Sequence, residues 1–273
     1  MDMNRLLLPV WMSRDHAIGR GMGTGDDIVG LADKIGEQRA GDIAPSFTAR
    51  GIVVFGGKHT AKTSILYQRS YNLADEASDN HVLFVCDKSK IYEKKPLMFR
   101  NEQGYEEAHK PNVQRRINMK YVQNREELIE LFAKLHEETK PISGVFIDDL
   151  DIICRKSKDG RDSGSYVNVV ALQSTALALL KNACESLACK YAIDVCYGLT
   201  LTSDNFNQLQ QSMFRLRLWV SSFFYIEQGK DRRCVVSCVV PGWKSMKPPT
   251  LSSGFTLVTP DPAAPHKYLV ATN

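Results

Sequence analysis

Read for apolar and polar positions, the chain changes character near residue 47. Residues 13 to 46 scatter Gly19, Gly21, Gly23, Gly25 and Gly30 among acids and bases, with one short helical pattern from Ile28 to Ile35. We expect residues 1–46 to form a flexible extension ahead of one folded domain, residues 47–273. From Gly51 onward, Ile52-Val53-Val54-Phe55 is a continuous apolar run that stops at Gly56-Gly57, and Thr63-Ser64-Ile65-Leu66 opens a helix. Val82 to Cys86 predicts a second strand, followed by a helix with Leu128, Ile129, Leu131, Phe132 and Leu135 at helical spacing. Gly144 to Ile147 predicts a third strand, stopped by Asp148-Asp149. Leu172, Ala176, Leu179, Leu180 and Ala183 then share one face of a long helix, and Val195 to Leu201 predicts a fourth strand.

Short, wholly apolar strands alternating with helices predict an α/β fold with a mainly parallel sheet and helices on both faces. The last quarter differs. Phe223 to Ile226, Cys234 to Val240, Phe255 to Val258 and Tyr268 to Val270 follow one another with turn-rich links and no helix, which predicts antiparallel C-terminal strands extending the sheet. Lys88 to Lys110 and Lys156 to Gly164 are charged and predict surface loops.

Composition adds constraints rather than a function. An apolar share of 43% over 273 residues supplies a core for one α/β domain and excludes a largely disordered chain. A net charge of +4 permits a basic groove without requiring one. The seven cysteines, Cys86, Cys154, Cys184, Cys189, Cys196, Cys234 and Cys238, form no CxxC pair. They read as reduced core thiols in a reducing, intracellular compartment, with no zinc site. No apolar stretch approaches the roughly 20 residues of a membrane span, so no membrane partner is expected. The Leu6 to Met12 run is broken by Pro9 and lacks a small-residue cleavage site, so we expect a soluble, unprocessed chain.

The segment richest in chemistry is Gly56-Gly57-Lys58-His59-Thr60-Ala61-Lys62-Thr63-Ser64. A phosphate-binding loop needs a tight glycine turn, inward N–H groups, a lysine for the terminal phosphates and a hydroxyl for magnesium. The helix N-terminus behind it adds favourable partial charge. Lys62 takes the lysine's place and Thr63 the hydroxyl's. Ala61 departs from the pattern, which has glycine there, and its methyl group crowds the expected phosphate path. The rival reading is a plain glycine turn with an exposed lysine. The run Val145-Phe146-Ile147-Asp148-Asp149 ends an apolar strand on acids, and Asp148 can hold the magnesium through water. ATP and Mg2+ are the cofactors this pairing predicts.

Across residues 51 to about 260, the loop GGKHTAKTS, the strand HVLFVCDKSK, the segment RRINMKYVQNREEL and the strand GVFIDDLD, with the closing strands, resemble a RecA-type recombinase paralogue. Nearest in pattern is the ATPase-like partner of a SWIM-type zinc-finger protein in a Shu-type complex. The resemblance implies a RecA-like P-loop NTPase core and a nuclear homologous-recombination factor. It further implies binding to single-stranded DNA, support of the strand-exchange recombinase filament and a SWIM-type zinc-finger partner. In the active family, the strand after the phosphate-loop helix ends in a glutamate that positions water. Here that place falls on Lys88, preceded by Asp87, leaving Asp149 or Asp87 as stand-in bases and predicting slow hydrolysis.

The family's two DNA loops map onto Arg155, Lys156, Lys158 and Arg161, and onto Asn205, Phe206, Asn207 and Gln208, with Phe206 able to stack on a base. Arg215, Arg217, Arg232 and Arg233 are further basic positions. Two rivals stand beside this reading: an ordinary P-loop NTPase or kinase on a small substrate, and a pseudo-ATPase scaffold subunit. Finally, Leu218, Trp219, Val220, Phe223, Phe224, Tyr225 and Ile226 are either a partner-binding surface or core beneath the sheet.

Overall fold

The structure, a computed structural model, describes residues 49–58, 60–93, 96, 98–100, 110–159, 166–203, 212–228, 233–239, 255–258 and 268–272. All belong to one compact unit, Phe47–Asn273. The expected flexible extension lies outside the described residues.

The strands are β1 (Ala49–Gly56), β2 (His81–Cys86), β3 (Met98–Arg100), β4 (Ile117–Tyr121), β5 (Ile142–Ile147), β6 (Val195–Thr202), β7 (Ser222–Gln228), β8 (Arg233–Val239), β9 (Phe255–Val258) and β10 (Tyr268–Thr272). The helices are α1 (Lys62–Glu76), α2 (Lys88–Glu93), α3 (Pro111–Gln114), α4 (Arg125–Lys134), α5 (Leu150–Arg155) and α6 (Tyr166–Tyr191). One sheet runs in the order β3-β10-β9-β8-β7-β1-β6-β5-β2-β4. Its six strands from β7 to β4 are all parallel. This α/β arrangement is compatible with a RecA-like core.

Alternation along the strands explains how both faces are filled. Val53, Phe55, Leu83, Val85, Val145, Ile147, Tyr197 and Leu199 pack with Leu128 and Phe132 of α4 and Leu177, Leu180 and Leu187 of α6. The intervening positions face α1. Tyr67 meets Phe84 edge-on at 5.5 Å, and a side chain added at Gly144 would strike Leu73. Glycine there lets the later turns of α1 lie close on the sheet.

Asn124 caps α4: its side chain accepts from the Glu127 N–H at 3.0 Å, while Glu127 reaches back to the Gln123 N–H at 2.8 Å. This reciprocal pattern satisfies donors that the first turn leaves unpaired. Among the described residues, no helix is long and apolar enough to cross a membrane.

Three expectations are corrected. The charged stretch after Lys88 is not simply a loop, because it contains α2 and β3. β7, expected among the antiparallel strands, runs parallel to β1 and only its other edge, toward β8, is antiparallel. The segment around β7 is core: Leu216, Val220, Phe223, Phe224 and Ile226 are buried, and Trp219 and Tyr225 pack against the core, leaving Leu218 exposed. A strand flanked by β1 and β8 has both edges paired, so its side chains go into the layers above and below. The partner-binding expectation for that segment loses its basis.

Of the five cysteines whose side chains are described, Cys86, Cys154 and Cys184 are buried and all five are free. Cys189 is exposed, against expectation, because it lies on the outer face of α6.

Candidate functional site

Parallel pairing places the C-terminal ends of β1, β6, β5 and β2 side by side on one rim, where open α/β sheets gather their ligands. Four segments meet there: Gly56 to Ser64 after β1, Asp87 to Lys90 after β2, Asp148 to Asp151 after β5, and the end of β6.

The loop after β1 is drawn tight. Thr60 Oγ1 donates to the Gly57 carbonyl at 3.0 Å, and a side chain at Gly56 would meet Thr60 Oγ1 and the Ile226 backbone. Lys58 is exposed and Ser64 is buried in the first turn of α1. His59 lies outside the described residues. Ala61 has φ −70°, an ordinary conformation, so the backbone does not call for glycine there. The N-cap position of α1 is Ala61, which makes no side-chain cap.

Lys62 opens that helix, is buried, and donates to the carbonyls of Gly56 at 2.8 Å and Gly57 at 2.6 Å. Burial lowers its pKa, partly offset by the nearby Asp149 and Asp151. Thr63 Oγ1 donates to Asp148, 2.9 and 3.0 Å from its two oxygens. Thr63 and Asp148, expected from the sequence to share a magnesium ion, are here in direct contact with each other.

Sequence reasoning missed what closes this cluster. The ammonium of Lys90 donates to Thr63 Oγ1 at 2.9 Å, Asp148 Oδ2 at 2.5 Å and Asp149 Oδ2 at 2.6 Å. Burial alone would lower the Lys90 pKa, but the two carboxylates raise it above the usual lysine value. Burial, reinforced by Asp149, raises the Asp148 carboxyl. Thr200, buried in β6, donates to Asp148 Oδ1 at 2.8 Å and accepts from the Asp149 N–H at 2.7 Å. Asp149 sits in the left-handed region (φ 50°, ψ 53°), a conformation aspartate tolerates better than most residues. Asp151, also buried, accepts from the Thr202 N–H at 3.2 Å, and burial pushes its carboxyl up to about 6.

Lys88, at the place expected for a water-positioning acid, is exposed, its ammonium 5.7 Å from the Tyr92 ring centroid and 6.0 Å from that of Tyr121. Residues two apart on a helix point about 200° apart, so with Lys88 outward, Lys90 turns inward. That spacing was the available signal. Neither candidate base is free. Asp149 is held by Lys90, and Asp87 accepts from Ser89 and, at 2.8 Å, from Lys156. Burial would raise Asp87, but the bonds from Lys156 and Ser89 hold it below the ordinary carboxylate range.

Of the candidate DNA-contacting residues, Arg155 ends α5 and Lys156 and Lys158 lie just beyond it; all three are exposed, and Lys156 joins the rim through Asp87. Arg161 and Phe206 lie outside the described residues, as does Arg232. Arg215 and Arg217 are exposed, with Arg217 stacked 4.0 Å over the Phe214 ring. The described residues contain no cluster of three metal-ligating side chains of the His, Cys, Asp and Glu types.

No protein-family model matches the chain, and no curated protein does.

Proposed function

We propose that the rim binds the phosphates of a nucleotide, ATP by preference, in a RecA-like P-loop site. One observation carries this reading: a buried lysine, Lys62, lies at the uncapped start of the helix after β1, held only by two carbonyls of its own loop. Burying a cation against neutral carbonyls is costly unless an anion arrives to take their place. A terminal phosphate supplies that anion, with the α1 N–H groups beside it.

The wider proposal rests on the family resemblance: a nuclear homologous-recombination factor that binds single-stranded DNA along Arg155 to Lys158, supports a strand-exchange recombinase filament and works with a SWIM-type zinc-finger protein. Hydrolysis is slow in this reading, below about 1 per second, because Lys88 points away and Asp87 and Asp149 are both ion-paired. Those pairings favour the pseudo-ATPase scaffold over an ordinary NTPase or kinase as the second reading.

The test is binding of a fluorescent ATP analogue. Lys62→Ala should weaken it by about 1.5 to 3 kcal/mol, the worth of a charge-assisted contact. Equal binding by wild type and Lys62→Ala would place the ligand elsewhere.

A further inference from the structure

Thr63 and Asp148 have the oxygen donors that magnesium takes, so the sequence alone assigns them to a metal. A lysine ammonium has three N–H donors, and all three of Lys90's are used here, on Thr63 Oγ1, Asp148 Oδ2 and Asp149 Oδ2 at 2.9, 2.5 and 2.6 Å. The same three oxygens cannot face this ammonium and a divalent cation together, because like charges a few ångströms apart repel strongly in a partly buried site. The rest of the cluster agrees. The carboxylates of Asp148 and Asp149 are both ion-paired with Lys90, and Asp148 has its other oxygen bonded to Thr200. With Lys90 in place, the residues do not fit a magnesium ion.

We propose that Lys90 is the resident cation of this site, and that the chain binds nucleotide phosphates without a divalent metal. This rests on the nucleotide reading above and goes beyond it by naming the form of the ligand, a metal-free nucleoside triphosphate. Two features support the role. The Lys90 side chain is about one-third exposed while Asp148 is sealed, so Lys90 reaches the cluster from the open side, where a ligand must enter. α2 follows β2 after a single residue, Asp87, so the ammonium is delivered by a helix joined almost directly to a core strand rather than by a long loop. Lys62 and Lys90 then sit on the same rim, one bonded to the loop carbonyls and the other to the acids.

The experiment compares wild type, Lys90→Ala and Lys90→Gln with a fluorescent ATP analogue, each in magnesium and in EDTA, and follows melting with magnesium alone. In wild type the two dissociation constants should agree within about twofold, and magnesium alone should leave the melting temperature unchanged. In the variants magnesium should raise the melting temperature, by entering the vacated tripod, and should tighten the analogue by about tenfold or more. A wild type that loses about tenfold in EDTA, or that magnesium stabilises as much as it does Lys90→Gln, overturns the proposal. If neither variant folds by circular dichroism, the wild-type comparison in EDTA decides alone. If no form binds the analogue in either buffer, the nucleotide reading falls, and melting with magnesium alone still decides whether Lys90 excludes the metal.

Discussion

The segments after β1 and after β2 leave the same rim of the same sheet and each delivers one lysine to one cluster, yet they do so by different physics. Lys62 is the first residue of a long helix and its buried ammonium rests on two neutral carbonyls. Lys90 lies on a six-residue helix and its partly exposed ammonium is locked to two carboxylates and a hydroxyl. The first lysine is poised to change partners, because its burial is poorly compensated. The second is a structural counter-charge, because its removal strands two acids beside each other.

The largest expected effect tests that asymmetry directly. Lys90→Ala in EDTA should destabilise the fold by about 3 to 5 kcal/mol, the usual consequence of leaving a buried charge without its partner. Lys62→Ala should change stability by no more than about 1 kcal/mol, since it gives up ordinary hydrogen bonds and a desolvation cost together. Urea unfolding of both variants measures the difference. Equal losses would mean that the two lysines play the same part.

Asp151 sharpens the comparison from the acid side, because it is a buried rim carboxyl with no lysine hydrogen-bonded to it. Its folded pKa of about 6 lies above the ordinary value of 3.8, so the folded state holds the proton more tightly than the unfolded one. The stability it contributes is therefore fullest below about pH 4 and is lost as pH rises through about 6, a fall of about 3 kcal/mol in all. Asp151→Asn keeps an acceptor for the Thr202 N–H and removes the titration. Unfolding free energies across that pH window should flatten in the variant, and an unchanged slope would assign the dependence to another group.

How far the sequence carried this picture follows from the same contrast. β1, β2, β5 and β6 were legible because parallel strands buried on both faces read as continuous apolar runs. β4 was not, because Ile117–Tyr121 is an edge strand whose residues alternate toward solvent and carry Asn118 and Lys120. The direction of β7 was hidden because an apolar run does not say whether its neighbour is parallel. Thr63 and Asp148 could be singled out from local motifs, and the structure has them hydrogen-bonded to each other. Lys90 was hidden because the rotation of the short helix α2 is set by tertiary packing, and KSK in isolation reads as a solvated charge run. Thr200 was hidden inside an apolar strand, where a hydroxyl's partner depends on which strand lies alongside.

The smallest expected effect concerns Lys156, which links the segment after β2 to the one after α5. Its pair with Asp87 is 2.8 Å long, with both side chains partly in water, so its contribution to stability is at most about 1 kcal/mol. If the rim carries single-stranded DNA as proposed, Lys156 divides its charge between Asp87 and a phosphate. Each phosphate contact contributes about 0.7 to the slope of log affinity against log salt. Lys156→Ala should lower that slope by about 0.7, and Lys156→Ala with Lys158→Ala by about twice as much, with little change in melting temperature. Asp87→Asn should act in the opposite sense, tightening the complex at fixed salt by freeing the ammonium while leaving the slope as it was. Fluorescence anisotropy over a salt series measures all three. A slope unmoved by the double variant would take DNA away from this rim, and a weaker complex in Asp87→Asn would show that the pair positions Lys156 rather than competing for it.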